Sequence, residues 1–159
     1  MNLIVYGSLI NKEELLKEGI VLDNVETVKV FGYRRVFNQE PSYRFLDSKN
    51  RAVLNIIKDE AYWFNAILIK ELSDKYFEAL DVREKGYQRI TIDVETYTKK
   101  VIKNCFVYSG KEEKRSLTIL PNKEYLKLCL EGAKSFGELF YFDYLKTTYQ
   151  NDKSSYSLI

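Results

Sequence analysis

Two short polar links constrain this chain more than any other feature of its sequence. Asp59-Glu60 stands between the strand-like runs 51–57 and 61–71, and Lys99-Lys100 stands between 87–98 and 101–108. Links this short join antiparallel neighbours, because parallel strands need a long crossover. Each pair is therefore expected as a β-hairpin. Ile90, Ile92 and Val94 alternate with polar residues, the period of a strand with one buried face. Residues 21–38 carry β-branched and aromatic side chains throughout and read as one long strand, or as two broken at Gly32. Residues 117–120 read as a brief strand, and 39–50, polar and containing Pro41, as a loop.

Four helices are expected, the last two in one C-terminal stretch. Leu3-Ile4-Val5-Tyr6 reads as a short buried strand, Gly7 as a turn residue with unusual backbone freedom, and Asn11 as the N-cap of a helix whose Glu14 completes a capping box. Gly19 suits the end of that helix. Ser73 can cap a second helix over 74–81, with Tyr76, Phe77 and Leu80 inward. Pro121-Asn122 opens the third. There Tyr125, Leu128, Cys129, Gly132, Ala133 and Phe136 recur at spacings of three and four, before Gly137 breaks the run and 139–149 resumes it. The tail from Gln150, with Ser154 and Ser155, reads as frayed. The pattern as a whole predicts one α+β domain over 1–159: a small, mostly antiparallel, curled or barrel-like sheet with inserted and C-terminal helices.

Composition bears on function more than on fold. Histidine is absent from the 159 residues. That removes Ser-His-Asp and Cys-His catalysis in their usual forms and argues against a zinc enzyme. Net charge is +2, from 25 basic and 23 acidic residues, which offers no electrostatic case for nucleic acid or membrane partners. Cys105 and Cys129 lie far apart in strand-like and helix-like runs and read as buried thiols of a reducing cytosol. Neither a signal peptide nor a transmembrane helix is expected, so the predicted location is cytoplasmic.

Three features carry chemistry. The turn Tyr6-Gly7-Ser8-Leu9 joins a strand to a helix start, where free N–H groups favour an anion; an ordinary tight connection is the plainer alternative. Ser8 has no base to activate it and is read as structural or substrate-touching. Glu84, in Leu80-Asp81-Val82-Arg83-Glu84-Lys85-Gly86-Tyr87-Gln88-Arg89, sits just past a helix end. The dipole there raises a carboxylate's pKa and a paired Arg83 or Arg89 would lower it. A surface salt bridge is its bland reading. The third feature is the late helix with Tyr125.

Taken with Gly32-Tyr33-Arg34, Phe37-Asn38 and Pro121, these segments resemble the gamma-glutamylcyclotransferase-like family in order and approximate spacing over nearly the whole chain. The resemblance implies the small mixed barrel of that family and no cofactor or metal. It implies a turn at Tyr6, Gly7, Ser8 and Leu9 that holds a γ-glutamyl group, Glu84 as general acid/base, and Tyr125 lining the pocket. The implied reaction is transferase- or lyase-like: cyclisation of a small γ-glutamyl substrate to 5-oxoproline with release of an amine or amino acid, as in glutathione metabolism. Leu9 stands where members acting on γ-glutamyl amino acids often carry Asn, which points to the broader branch. Two other readings remain open at this stage: a non-catalytic module binding a small metabolite on the same fold, and an interaction domain whose aromatic residues form an interface.

Overall fold

A computed structural model describes residues 1–21, 23–42, 48–151 and 157–158. Its strands are β1 Leu3–Val5, β2 Val25–Gln39, β3 Val53–Ile69, β4 Tyr87–Thr96, β5 Val101–Gly110 and β6 Thr148–Tyr149. Its helices are α1 Lys12–Lys17, α2 Asp74–Arg83, α3 Lys123–Lys134 and α4 Glu138–Lys146. The strand order is β3-β1-β5-β4-β2-β6, and a β2–β3 pairing closes the first five into a mixed barrel. β1 runs parallel to β5 and β6 parallel to β2; the other pairings are antiparallel. Closure removes sheet edges that would otherwise be open to other chains.

The β4–β5 hairpin forms as expected, turning through Lys99 at φ 68°. The other expected hairpin does not. β3 runs on through Asp59-Glu60 without reversing, and its partner on both sides of the pair is β2. The polar pair instead lies in a bulge of β3: between the Phe31–Trp63 and Tyr33–Lys58 pairs, residues 59–62 stand against Gly32 alone, which takes φ 85°. A left-handed residue of this kind bends a strand without reversing it. The polar link thus marks where two long strands curve round the barrel.

Other boundaries differ in smaller ways. Residues 117–120 form no strand; a 3-10 turn at Glu112–Lys114 and isolated bridges at Arg115 and Pro121 take that region across the barrel. α2 extends to Arg83, two residues past the expected end, and Ser73 occupies its N-cap without a side-chain bond. Asn11 and Asn122 do cap α1 and α3, accepting from the N–H groups of Glu13 and Tyr125 at 3.0 and 2.9 Å. Glu14 closes no capping box; it is buried and paired with Lys17 at 2.6 Å. α4 stops at Lys146 because Thr148 and Tyr149 join the sheet as β6. Both cysteines are buried, and neither forms a disulfide. Of the expected 39–50 loop, 43–47 lie outside the described residues, as do Ser154 and Ser155 of the expected frayed tail.

One buried cation ties the chain's last elements to the barrel. Arg35 is fully buried on β2, with its guanidinium over the Tyr144 ring at 3.7 Å. It donates to the Thr148 and Thr147 hydroxyls at 2.9 and 3.0 Å, to Asn65 Oδ1 at 3.0 Å, and to the Tyr144 carbonyl at 3.2 Å. The Asn65 carbonyl takes a further bond. A buried guanidinium with every arm occupied avoids much of the cost of leaving water. No helix among the described residues is long and apolar enough to cross a membrane.

Candidate active site

A half-open cavity lies beyond the end of β1. Its empty space, counted into the mouth, is about 650 Å³, within the usual range for small-molecule pockets. Tyr6, Gly7, Ser8, Leu9, Glu84 and Tyr125 all line it, so the six residues singled out from the sequence meet at one hollow. Tyr87, Tyr108, Arg83, Leu54 and Val53 complete much of the wall.

The turn is built differently from expectation. Gly7 has φ −109°, a value open to any residue. Its reason for being glycine is proximity: a Cβ there would lie 2.5 Å from the Tyr125 hydroxyl oxygen. Gly132 does the same for the helix. A Cβ on it would sit 2.8 Å from Ile10 C and from Asn11 N, so α3 rests with its backbone against the turn. The two glycines together bring Tyr125 to Gly7. The turn itself closes through Ile10 N–H to the Gly7 carbonyl at 3.1 Å and Asn11 N–H to Ser8 at 3.0 Å. Among the described residues, the N–H groups of Gly7, Ser8 and Leu9 donate to no backbone carbonyl. Such orphan donors are what an anion would use.

Glu84 is the C-cap of α2 and the one carboxylate among the lining residues described. Its own N–H donates to the Leu80 carbonyl at 2.7 Å, and its carbonyl accepts from Tyr87 N–H at 2.8 Å. The following residues are pinned as well. The Gly86 carbonyl accepts from the buried Gln39 carboxamide at 2.8 Å and from Lys111 N–H at 3.0 Å. Ser42 Oγ crowds Gly86, 2.6 Å from where a Cβ would stand. Glu84 is therefore held on a rigid corner, with its side chain about one-fifth exposed.

The arginines flanking Glu84 in sequence are engaged elsewhere. Arg83 donates to Glu18 at 3.0 Å and reaches Glu84 only at 3.8 Å. Arg89 lies 3.1 Å from Asp81, which also accepts from the Tyr108 hydroxyl at 2.7 Å. Lys85 makes no ion pair with Glu84 in the contacts observed among the described residues.

Tyr6, Tyr108 and Tyr125 are neutral phenols. Burial pushes the Tyr6 and Tyr125 hydroxyls well above their ordinary pKa, and the charge on Glu84 adds to both shifts. Tyr108 is raised by burial and by its bond to Asp81. Tyr6 donates to the Tyr108 carbonyl at 2.6 Å, and its own carbonyl accepts from Tyr144 at 2.8 Å. These groups donate and position; none of them serves as a base near neutrality. Tyr87 and Tyr108 were not singled out from the sequence. The signal for Tyr108 was its place at the end of a hairpin strand paired with Arg89, inside the charged corner's reach. No group of three or more His, Cys, Asp or Glu residues that could hold a metal occurs among the described residues.

Solved structures share this arrangement of strands and helices. An uncharacterised protein from Homo sapiens superposes with TM-score 0.73 at 20% identity, covering 98% of this chain and 92% of its own. YkqA from Bacillus subtilis gives TM-score 0.71 at 17% identity over 85% of this chain. A yeast γ-glutamyl cyclotransferase specific to glutathione gives 0.64 at 16% identity, covering 92% and 94%. The chain has the gamma-glutamyl cyclotransferase-like fold. It spans 48% of the YkqA chain but nearly all of the human and yeast ones. No family model matches the sequence, and no curated protein matches it. On this fold the cavity lies beside the first turn, between the barrel, the α2 corner and α3.

Proposed function

We propose that the protein is a γ-glutamyl cyclotransferase with Glu84 as its general acid/base. The observation that carries this reading is the meeting of Glu84 with the Tyr6–Leu9 turn in one cavity. A free α-ammonium has a pKa of about 8 and cannot attack while protonated. Glu84 takes its proton. The amine nitrogen then bonds to the γ-carbonyl carbon, and a tetrahedral intermediate forms. The ring nitrogen gives up its remaining extra proton to solvent, and collapse breaks the bond to the leaving nitrogen, which takes the proton held by Glu84. The products are 5-oxoproline and an amine or amino acid. Base assistance of this kind contributes roughly 10²- to 10⁴-fold. Nucleophile and electrophile share one molecule, so folding the substrate into a ring in the cavity supplies much of the rest.

The N–H donors of the turn suit either anion of this substrate, the α-carboxylate or the developing oxyanion. Gly7, Ser8 and Leu9 bind through the main chain, while Tyr6 and Tyr125 shape the wall as neutral phenols. The scheme draws on no metal or cofactor. The yeast neighbour's specificity for glutathione makes that compound one member of a test panel, with γ-glutamyl-lysine and γ-glutamyl amino acids beside it. Release of 5-oxoproline is the readout. Glu84→Gln is expected to abolish it while leaving circular dichroism and melting temperature nearly unchanged. Full activity in that variant, or silence of the wild type across the panel, removes the proposal. Thermal stabilisation by a panel compound without product would point to binding alone.

A further inference from the structure

We propose that Gln39, the last residue of β2, is a positioning residue: its buried carboxamide fixes the Gly86 peptide, and with it the corner that carries Glu84, while its own oxygen goes unsatisfied. The inference rests on the role given to Glu84 above. Gln39 is fully buried. Its Nε2 donates to the Gly86 carbonyl at 2.8 Å. The nitrogen must face that carbonyl, since an oxygen there would meet a second acceptor. No group among the described residues donates to Gln39 Oε1, which is buried as well.

Space is cleared for this carboxamide. A Cβ on Gly110 would overlap Gln39 Oε1 and stand 2.6 Å from Gln39 Cδ and 2.8 Å from Asn55 Oδ1. Asn55 Oδ1 is engaged in turn, accepting from the N–H groups of Gly110 and Ile56 at 2.7 Å each. Gly110 stands opposite Tyr87 in the β4–β5 ladder, so the slot lies beside the residues that follow Glu84. The corner itself is a four-residue turn from Glu84 to Tyr87, closed by Tyr87 N–H donating to the Glu84 carbonyl at 2.8 Å. Gly86 is its third residue. Holding the Gly86 carbonyl therefore limits how the turn, and the Glu84 Cα at its head, can rotate.

Stability alone does not account for such a residue. A half-satisfied carboxamide in a dry interior is worse than an apolar side chain of the same length. Removing it would not orphan Gly86, whose carbonyl also accepts from Lys111 N–H at 3.0 Å. What Gln39 adds is a second direction. One bond lets the peptide swing about it; two, from the end of β2 and from the residue after β5, fix its plane. Close placement of the proton acceptor is what general-base catalysis requires.

The experiment compares the wild type with Gln39→Met, which keeps the length and removes both polar atoms. The variant's Tm should lie within about 4 °C of the wild type, or above it. Amide hydrogen exchange followed by NMR should quicken at least about fivefold at Tyr87 and Lys111, while the β2–β3 ladder keeps its rates. For 5-oxoproline release, kcat should fall about 10- to 100-fold with KM within about twofold. In the wild type itself, the Gln39 carboxamide protons should exchange as slowly as the ladder amides. A variant that fails to fold, or melts further below the wild type, overturns the proposal, because Gln39 would then serve stability. So does unchanged exchange at the corner, an unchanged kcat, or rapid exchange of the Gln39 carboxamide in the wild type. Absence of any turnover in the wild type would count against the proposed reaction, whereas the exchange rates judge Gln39 without substrate.

Discussion

Gly132→Ala sets two physical effects against each other, and the structure says which one wins. Within an exposed helix this change is stabilising by about 1 kcal/mol, because alanine is the better helix former. Here the new methyl would stand 2.8 Å from Ile10 C, Asn11 N and Ile10 Cγ1. Ordinary contacts of this kind begin near 3.4 Å, so α3 must lift off the turn. Two of the three obstructing atoms are backbone and cannot swing aside. Overpacking of a tight contact costs typically about 1–3 kcal/mol, and three simultaneous contacts belong at the upper end. Subtracting the helical gain leaves a net loss of about 1–2 kcal/mol. For a domain of this size that lowers Tm by roughly 2–8 °C. The Asn11 side chain also donates to the Leu128 carbonyl at 3.2 Å, a bond the lifted helix would stretch. Scanning calorimetry on wild type and variant measures the shift. An unchanged or higher Tm would refute the claim that α3 meets the turn backbone to backbone.

Two further predictions concern the same wall. Gly7→Ala should destabilise by about 1–3 kcal/mol through its approach to the Tyr125 hydroxyl, and much of that loss should vanish in a Tyr125→Phe background; equal losses in both backgrounds, measured by urea melts, would show that the hydroxyl is not the obstacle. Alkaline pH should unfold the protein steeply. Tyr6, Tyr125 and Tyr144 are buried with raised pKa values, so above about pH 10 the unfolded state loses protons that the folded state keeps, and stability falls by up to about 1.4 kcal/mol per residue per pH unit. Tyrosinate absorbance for these residues should rise together with loss of circular dichroism; ionisation in the intact fold would contradict their burial.

The parts of the fold written in local pattern are the parts the sequence predicts well. Alternation at Ile90, Ile92 and Val94 and a short link make the β4–β5 hairpin readable. Asn11 and Asn122 mark two helix starts by their side-chain chemistry alone. Asp59-Glu60 misleads because a polar pair looks the same in a turn and on the outside of a bend. Which of the two occurs depends on β2, whose Gly32, opposite the bulge, lies almost thirty positions earlier in the chain. The site is legible for a different reason: Gly7, Glu84 and Tyr125 stand beside turns and helix ends, where residue type is locally informative. What brings them together is not local. Gly132 explains the docking of α3 only once Ile10 is known to lie against it. Arg35 gives no sign in sequence, since it reads as one of two adjacent arginines and its acceptors are scattered over three other elements.

Arg35 imposes an order on biosynthesis. It leaves the ribosome 113 positions ahead of Thr148, one of the hydroxyls that satisfy it. Until that stretch emerges, the nascent barrel must keep a guanidinium in water or bury it short of acceptors, at a cost of several kcal/mol. The wall above it waits on the same event, since Tyr144 both stacks on Arg35 and reaches the Tyr6 carbonyl. Barrel closure and completion of the hollow are thereby postponed until synthesis has passed α4, so ribosome-stalled fragments ending before it should remain open to protease.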